Sequence, residues 1–319
     1  MAKFNFGAFF GAIEPLADAL RSGEERVWAG AVGKNPRPVD YVLYLGCNVL
    51  RTVDLVETVV AVLKSMGVDF VALAGPAHCC GIVHERNGEQ AAGRKMLAHT
   101  FRNFAAFRPK AVLVYCPTCQ GRMDALIPDG VPLDIPTQTV VAFLAEHIGR
   151  LPFTTPVPRR VALHGHDATP QAARDLEATG RVLAAVPGLE VVPMAAGAEW
   201  GTHCMAAQIA KVGPPRFEEM VDELFGEAKQ RGADVLTTVY HSCYREHCAR
   251  EPGAGMGVAN YIQFVAQGLG MEVLPEKFKS YKIEADPERA FAELAATAQR
   301  RGVGPLRLRR SLEAHFKPG

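Results

Sequence analysis

The sequence predicts an α/β protein: two tandem, pseudo-symmetric βαβ domains with parallel sheets, preceded by an N-terminal helix and followed by a C-terminal helical tail. Three observations carry that expectation. Apolar runs of strand length alternate with longer segments of helical spacing. The short runs are almost continuously apolar, as strands buried on both faces of a parallel sheet are. The landmarks also recur with a period of about 120 residues, the mark of an internal repeat.

The elements follow in order. Met1 to Arg21 contains an apolar stretch, Phe4 to Ile13, together with Lys3, Glu14 and Asp18. This reads as an amphipathic helix rather than a signal peptide. It packs on its own domain or docks a partner subunit. Tyr41–Leu45 (YVLYL) is the first strand and ends at Gly46-Cys47. Arg51 to Met66 has helical spacing in Val53, Val56, Val59, Val60 and Leu63, with Gly67 at the C-cap. Asp69–Ala74 is the second strand and runs into Pro76 and Cys79-Cys80. Gln90–Phe107 reads as a long helix, and Ala111–Tyr115 as a third strand ending at Cys116.

The second copy follows Pro156 and Pro158. Arg160–Leu163 leads into His164-Gly165-His166, Gln171–Val186 is helical, and Leu189–Pro193 is extended. His203-Cys204 come next. Phe217–Gln230 is an amphipathic helix, Val235–Tyr240 a strand, and His241, Cys243 and Cys248 close the copy. The landmarks pair across the repeat: Gly46-Cys47 with Gly165-His166, Cys79-Cys80 with His203-Cys204, and Tyr115-Cys116 with Tyr240-His241. The tail from Lys277 carries Arg300, Arg301, Arg307, Arg309 and Arg310, which reads as a solvated helix face.

Composition sets outer limits. At 48% apolar and 22% charged residues the chain has a globular composition, and a net charge of +1 gives no global field for nucleic acid or an anionic membrane. No apolar run reaches the ~18–20 residues of a membrane span. Eight cysteines without an export signal lead to the expectation of a reducing, cytoplasmic setting, where clustered thiols serve metals or redox chemistry. There is no GxGxxG and no Walker loop, so neither a flavin nor a nicotinamide site is expected within this chain.

Five cysteines define the candidate site: Cys47, Cys79, Cys80, Cys116 and Cys119. Each group follows the carboxyl end of a predicted strand, where open α/β sheets bind ligands. A structural zinc site uses four ligands and would leave one thiol over. A redox dithiol needs only Cys116 and Cys119 and leaves Cys79-Cys80 unexplained. An iron–sulfur centre accommodates all five, because thiolate is the soft, charged donor that iron–sulfur cores take. Gly46 and Gly81 let backbone approach sulfur without a Cβ. His78, His84, Glu85 and Arg86 flank the pair. His84 is a candidate proton donor, and Arg51 a residue to steer an anionic substrate.

The pattern Cys47, Cys79-Cys80-Gly81, Cys116-Pro117-Thr118-Cys119 resembles that of the CCG cysteine-rich proteins, in particular those like the B subunit of heterodisulfide reductase. The resemblance covers roughly residues 38 to 270. It implies a noncubane [4Fe-4S] cluster on the five cysteines of the first copy. It implies an oxidoreductase subunit acting on a thiol, a disulfide or a carrier-bound sulfur species. It implies as partners a ferredoxin-like iron–sulfur subunit, a flavin-containing subunit and a lipoyl or other sulfur carrier. An alternative is an electron-relay subunit of a lactate, glycolate or glycerol-phosphate oxidation system. On this reading residues 1–37 form a helical arm, 38–155 the first CCG domain, 156–275 a second, degenerate one, and 276–319 a basic tail. In the second copy His166 stands for the lone Cys, His203 for the first of the pair, and Met205 for the Gly. Cys204, Cys243 and Cys248, with His166, His203 or His241, form its candidate ligand set, for a second iron–sulfur cluster or zinc.

Overall fold

The computed structural model describes residues 4–195, 198–202, 204 and 206–317. The chain forms two compact units, one of Met1–Thr139 with Pro275–Gly319, the other of Val140–Leu274.

The first unit holds a four-stranded parallel sheet: β1 (Tyr41–Gly46), β2 (Phe70–Ala74), β3 (Ala111–Val114) and β4 (Thr137–Thr139), in the order β2-β1-β3-β4. The second unit repeats the design with β5 (Arg159–His164), β6 (Leu189–Pro193), β7 (Val235–Thr238) and β8 (Gly257–Asn260), in the order β6-β5-β7-β8. The predicted α/β repeat is therefore present, with a fourth strand in each unit. TQT and GVAN are too short and too polar to stand out as apolar runs.

The order places the first strand of each unit at the sheet centre. Parallel neighbours need crossovers, and helices supply them: Val53–Ser65 after β1, Gln90–Ala106 after β2 and Pro117–Leu126 after β3. The register between β1 and β2 shifts between Tyr44 and Gly46, so β1 breaks from its neighbour immediately before Cys47. Tyr44 is fully buried and meets Phe104 edge-on with ring centroids 4.9 Å apart. The core around it includes Val42, Leu97, Val112 and Met123, together with Cys80, Cys116 and Cys119.

The N-terminal residues form two helices, Phe6–Gly11 and Ile13–Leu20. The second is buried within its own unit, under the tail helices Pro287–Arg300 and Pro305–Phe316. One expectation for the tail is corrected here. The Arg301 side chain is only 5% exposed, and its guanidinium donates to the carbonyls of Asp18 at 3.0 Å, Arg21 at 2.8 Å and Gly23 at 3.1 Å. A helix end leaves carbonyls without partners and carries partial negative charge, and Arg301 answers both.

Asp54, in the helix after β1, is buried, and its carboxyl is pushed up to about 7 by burial, with a smaller contribution from Glu276. The fold thus prefers the protonated acid. Its contribution is fully present below the unfolded carboxyl's range and is lost as pH rises through about 7. The loss is on the order of 4 kcal/mol across that window. Asp54→Asn is expected to flatten the decline in melting temperature between about pH 5.5 and pH 8 and to stabilise the protein at the higher pH. Thermal unfolding of both proteins at the two pH values checks this.

Candidate metal centre

Three loops leave β1, β2 and β3 at the same edge of the first sheet, and the five cysteines lie on them. Cys47 is the first residue after β1 and the N-cap of the short helix Asn48–Thr52. Cys79 and Cys80 follow the single turn Pro76–His78 after β2. Cys116 is the N-cap of Pro117–Leu126, and Cys119 lies in that helix's first turn. All five are buried, between 1% and 5% exposed. Their thiols form a continuous series of contacts. Cys47 Sγ is 3.8 Å from Cys79 Sγ, Cys79 interacts with Cys80, Cys80 with Cys119, and Cys119 with Cys116.

Local backbone chemistry holds this arrangement. Gly46 has φ +77°, and a Cβ there would lie 2.9 Å from Cys119 Sγ and 3.4 Å from Cys116 Cβ. Sulfur occupies the space a side chain would need. Gly81, with φ +81°, serves a different purpose from the one expected. A Cβ on it would sit 2.2 Å from the carbonyl oxygen of Gly93, so the missing side chain lets the cysteine-pair loop press on the helix Gln90–Ala106. The Gly81 N–H itself donates to Cys79 Sγ at 3.4 Å. Thr100 Oγ1 on that helix donates to the Cys79 carbonyl at 3.0 Å.

Crowding sets the thiol chemistry. Cys79 is held well above the ordinary thiol range, first by its contact with Cys47 and then by burial. Contact with Cys119 favours the Cys80 thiolate, but Cys79 and burial outweigh it and push that thiol up. Cys119 is raised by Cys116, by Cys80 and by burial. The phenol of Tyr44 is raised by burial and by Cys119, Cys80 and Cys79, which places it beside the sulfurs. Without a cation Cys79, Cys80 and Cys119 thus favour their protonated forms. A bound positive core would release those protons.

The other residues singled out in the first copy are placed as follows. His84 Nδ1 is 2.9 Å from Glu89 Oε2, and its ring stacks on Phe6 with centroids 4.1 Å apart. Arg51 lies 5.2 Å from the ring of Phe9. His78 is buried against Asn103, and burial together with His99 lowers it to about 4. Glu85 forms an ion pair with Arg122, which is buried on the helix carrying Cys119. Sequence reasoning passes over Tyr44 and Arg122. The available signals are a tyrosine inside a strand leading to Cys47 and an arginine one helical turn beyond Cys119.

In the second unit the structure brings together His164, His166, Cys204 and Cys243, whose ligand atoms all lie within 4.8 Å of one another. His166, Cys204 and Cys243 are expected there from the sequence, and the fold adds His164. Cys248 Sγ instead faces the carbonyl of Arg245 at 3.6 Å. His241 is buried but lies outside this group, and His203 is outside the described residues.

The family model for the CCG cysteine-rich domain matches residues 41–124 and 169–246, half of the chain. The chain belongs to the CCG cysteine-rich domain family. This CCG protein is similar to the D subunit of the dihydromethanophenazine:CoB–CoM heterodisulfide reductase of Methanosarcina barkeri, 23% identical over 243 residues, covering 73% of this chain and 59% of that one. The corresponding protein of Methanosarcina acetivorans is 24% identical over 267 residues, covering 80% of this chain and 65% of that one. The CCG protein thus spans about three-fifths of the length of these curated relatives. A hypothetical protein from Helicobacter pylori shares the fold with a TM-score of 0.55 at 11% identity, over 88% of this chain and 57% of that one. Among the described residues no helix is long and apolar enough to cross a membrane.

Two glycine variants separate cradle from scaffold. Gly46→Ala is expected to lower iron per chain to under about half while costing the metal-free fold only ~1–2 kcal/mol. Gly81→Ala is expected to add overpacking of ~1–3 kcal/mol to that backbone strain and to destabilise the metal-free fold more. Iron analysis and denaturant titration of each variant check the pair. Because the thiols hold protons, iron retention against a chelator is expected to be firmer at about pH 8.5 than at about pH 6.5.

Proposed function

We propose that this CCG protein is the iron–sulfur subunit of a heterodisulfide-reductase-like complex, acting on a thiol, a disulfide or a carrier-bound sulfur species. The observation that carries this is the run of five buried thiols from three loops, each in contact with the next in series, with sulfur filling the space left by Gly46. The donor set suits an iron–sulfur core and exceeds what a structural zinc needs. Cys47, Cys79, Cys80, Cys116 and Cys119 would hold a noncubane [4Fe-4S] cluster, which when bound supplies one-electron chemistry at sulfur. The names of the relatives, both components of a heterodisulfide reductase, support the reaction class.

The chain's own residues take defined parts in this reading. The buried loops exclude water from the sulfurs. Helix starts after Cys47, Gly81 and Cys116 offer backbone N–H groups to an anionic centre. Reducing a disulfide to two thiols takes two electrons and two protons. The electrons would come through ferredoxin-like and flavin-containing partner subunits. His84 is the proposed proton donor: Glu89 fixes its Nδ1 side, so exchange would run through Nε2. A lipoyl or other carrier would deliver the sulfur species, in a reducing, cytoplasmic setting.

One observation favours a second reading. None of the five cysteines is more than 5% exposed, as suits an electron relay that never touches substrate. Low-temperature electron paramagnetic resonance of anaerobically prepared protein decides between the two. On the proposed reading, oxidation in the presence of a thiol produces a new paramagnetic state, and serine at any of the five positions abolishes it. A cluster that cycles with a dithionite-type reductant but never responds to any thiol or disulfide assigns the relay.

A further inference from the structure

We infer that His164, His166, Cys204 and Cys243 bind a single zinc ion, a closed structural centre at the strand ends of the second copy. The donors fit one tetrahedral ion. His164 Nε2 is 3.2 Å from Cys204 Sγ, His166 Nε2 is 3.1 Å from Cys243 Sγ and 3.8 Å from Cys204 Sγ. Zinc bonds of ~2.05 Å to nitrogen and ~2.3 Å to sulfur, set tetrahedrally, put nitrogen and sulfur about 3.6 Å apart. A two-iron core would stand between two separate pairs of ligands and push them apart. Here each histidine is close to a different cysteine, and all four donors lie within 4.8 Å of one another. Three cysteines cannot form the five-thiolate set of the first unit.

The surroundings are built for metal ligation. His166 Nδ1 lies 3.2 Å from the carbonyl of Gly201, which fixes the tautomer that turns the Nε2 lone pair toward the thiols. The ring of His166 is stacked on Tyr240, and Tyr240 donates to the buried Asp175 at 2.9 Å. Trp200 meets His164 edge-on at 4.8 Å. His247 Nε2 is 3.2 Å from Cys204 Sγ, where it can donate to a metal-bound thiolate. Gly165 lets the His-Gly-His segment lie against the helix Pro170–Ala184, since a Cβ there would be 2.4 Å from Leu176. Two thiolates and two neutral imidazoles around a divalent ion make an uncharged site, which suits donors no more than 2% exposed. Four protein ligands leave no open position, so the ion staples three loops and does no chemistry on a substrate. The family match resumes at residue 169, beyond both histidines, so this half of the donor set is not part of the matched pattern.

The inference stands apart from the first-unit cluster, and the test reads the two metals separately. The full chain, prepared without oxygen, is analysed for iron and zinc, and its zinc edge is measured by X-ray absorption. The expected result is one zinc per chain with two sulfur and two nitrogen neighbours, at unchanged iron. Cys243→Ser and His164→Ala are expected to lower zinc at least fivefold with iron retained, and Cys248→Ser to keep it. If a variant fails to fold, the absorption spectrum of the unaltered chain still decides. Zinc absent, an all-sulfur shell, iron shown in this site, or zinc lost equally in Cys248→Ser would each overturn the assignment.

Discussion

Parallel strand order is the constraint from which the rest of this molecule follows. In a parallel sheet every strand ends on the same side, and every connection must return across a helix. Loops that are far apart in sequence are thereby delivered to one edge. Cys47, Cys79-Cys80 and Cys116 lie at successive strand ends of β1, β2 and β3, with β1 in the middle. Thirty or more residues of intervening chain become three adjacent loops, with no special pairing needed to gather them.

The two units show how one scaffold carries two donor sets. Both place their first strand between the second and third, and both put polar or sulfur-bearing residues just after those strands. In the first unit five thiols touch in series, and crowding with burial raises Cys79, Cys80 and Cys119. In the second, imidazole replaces thiol at the first loop. The Cys243 thiolate is favoured despite its burial, by Cys204, His166 and His164, while Cys204 is pushed up by burial and by Cys243. Histidine is neutral when it binds a metal, so the exchange lowers the negative charge the site must accommodate. Burial of both sites would thus be met by different means: a multi-iron core would match many thiolates, and one divalent ion would match two.

Much of this is legible in the sequence because it rests on local signals. Six strands announce themselves as short apolar runs, and the cysteine groups sit at their ends. The repeat is visible in paired landmarks. What escapes depends on geometry between elements. In the sequence His164 is the counterpart of Leu45, a strand residue, because alignment fixes the loop on His166. Only the folded loop shows that two residues of His-Gly-His turn toward the same thiols. Gly81 reads as a neighbour of sulfur, yet its tightest contact is Gly93, a helix residue with no motif around it. Arg301 sits in a run of charges and looks solvated, but it completes a helix end some 280 residues earlier.

The helix Phe6–Gly11 touches two short helices, Asn48–Thr52 after Cys47 and Ile82–Arg86 after Cys80, through Phe9 on Arg51 and Phe6 on His84. It has six residues, none of them buried. A helix that short does not persist unaided in water. Its place on the unit therefore depends on its neighbours, the helix Ile13–Leu20 and the side chains of Arg51 and His84 among them. Detachment of this helix would cost far less than unfolding the unit, and it would uncover the Arg51 and His84 side chains while leaving the sulfurs in place.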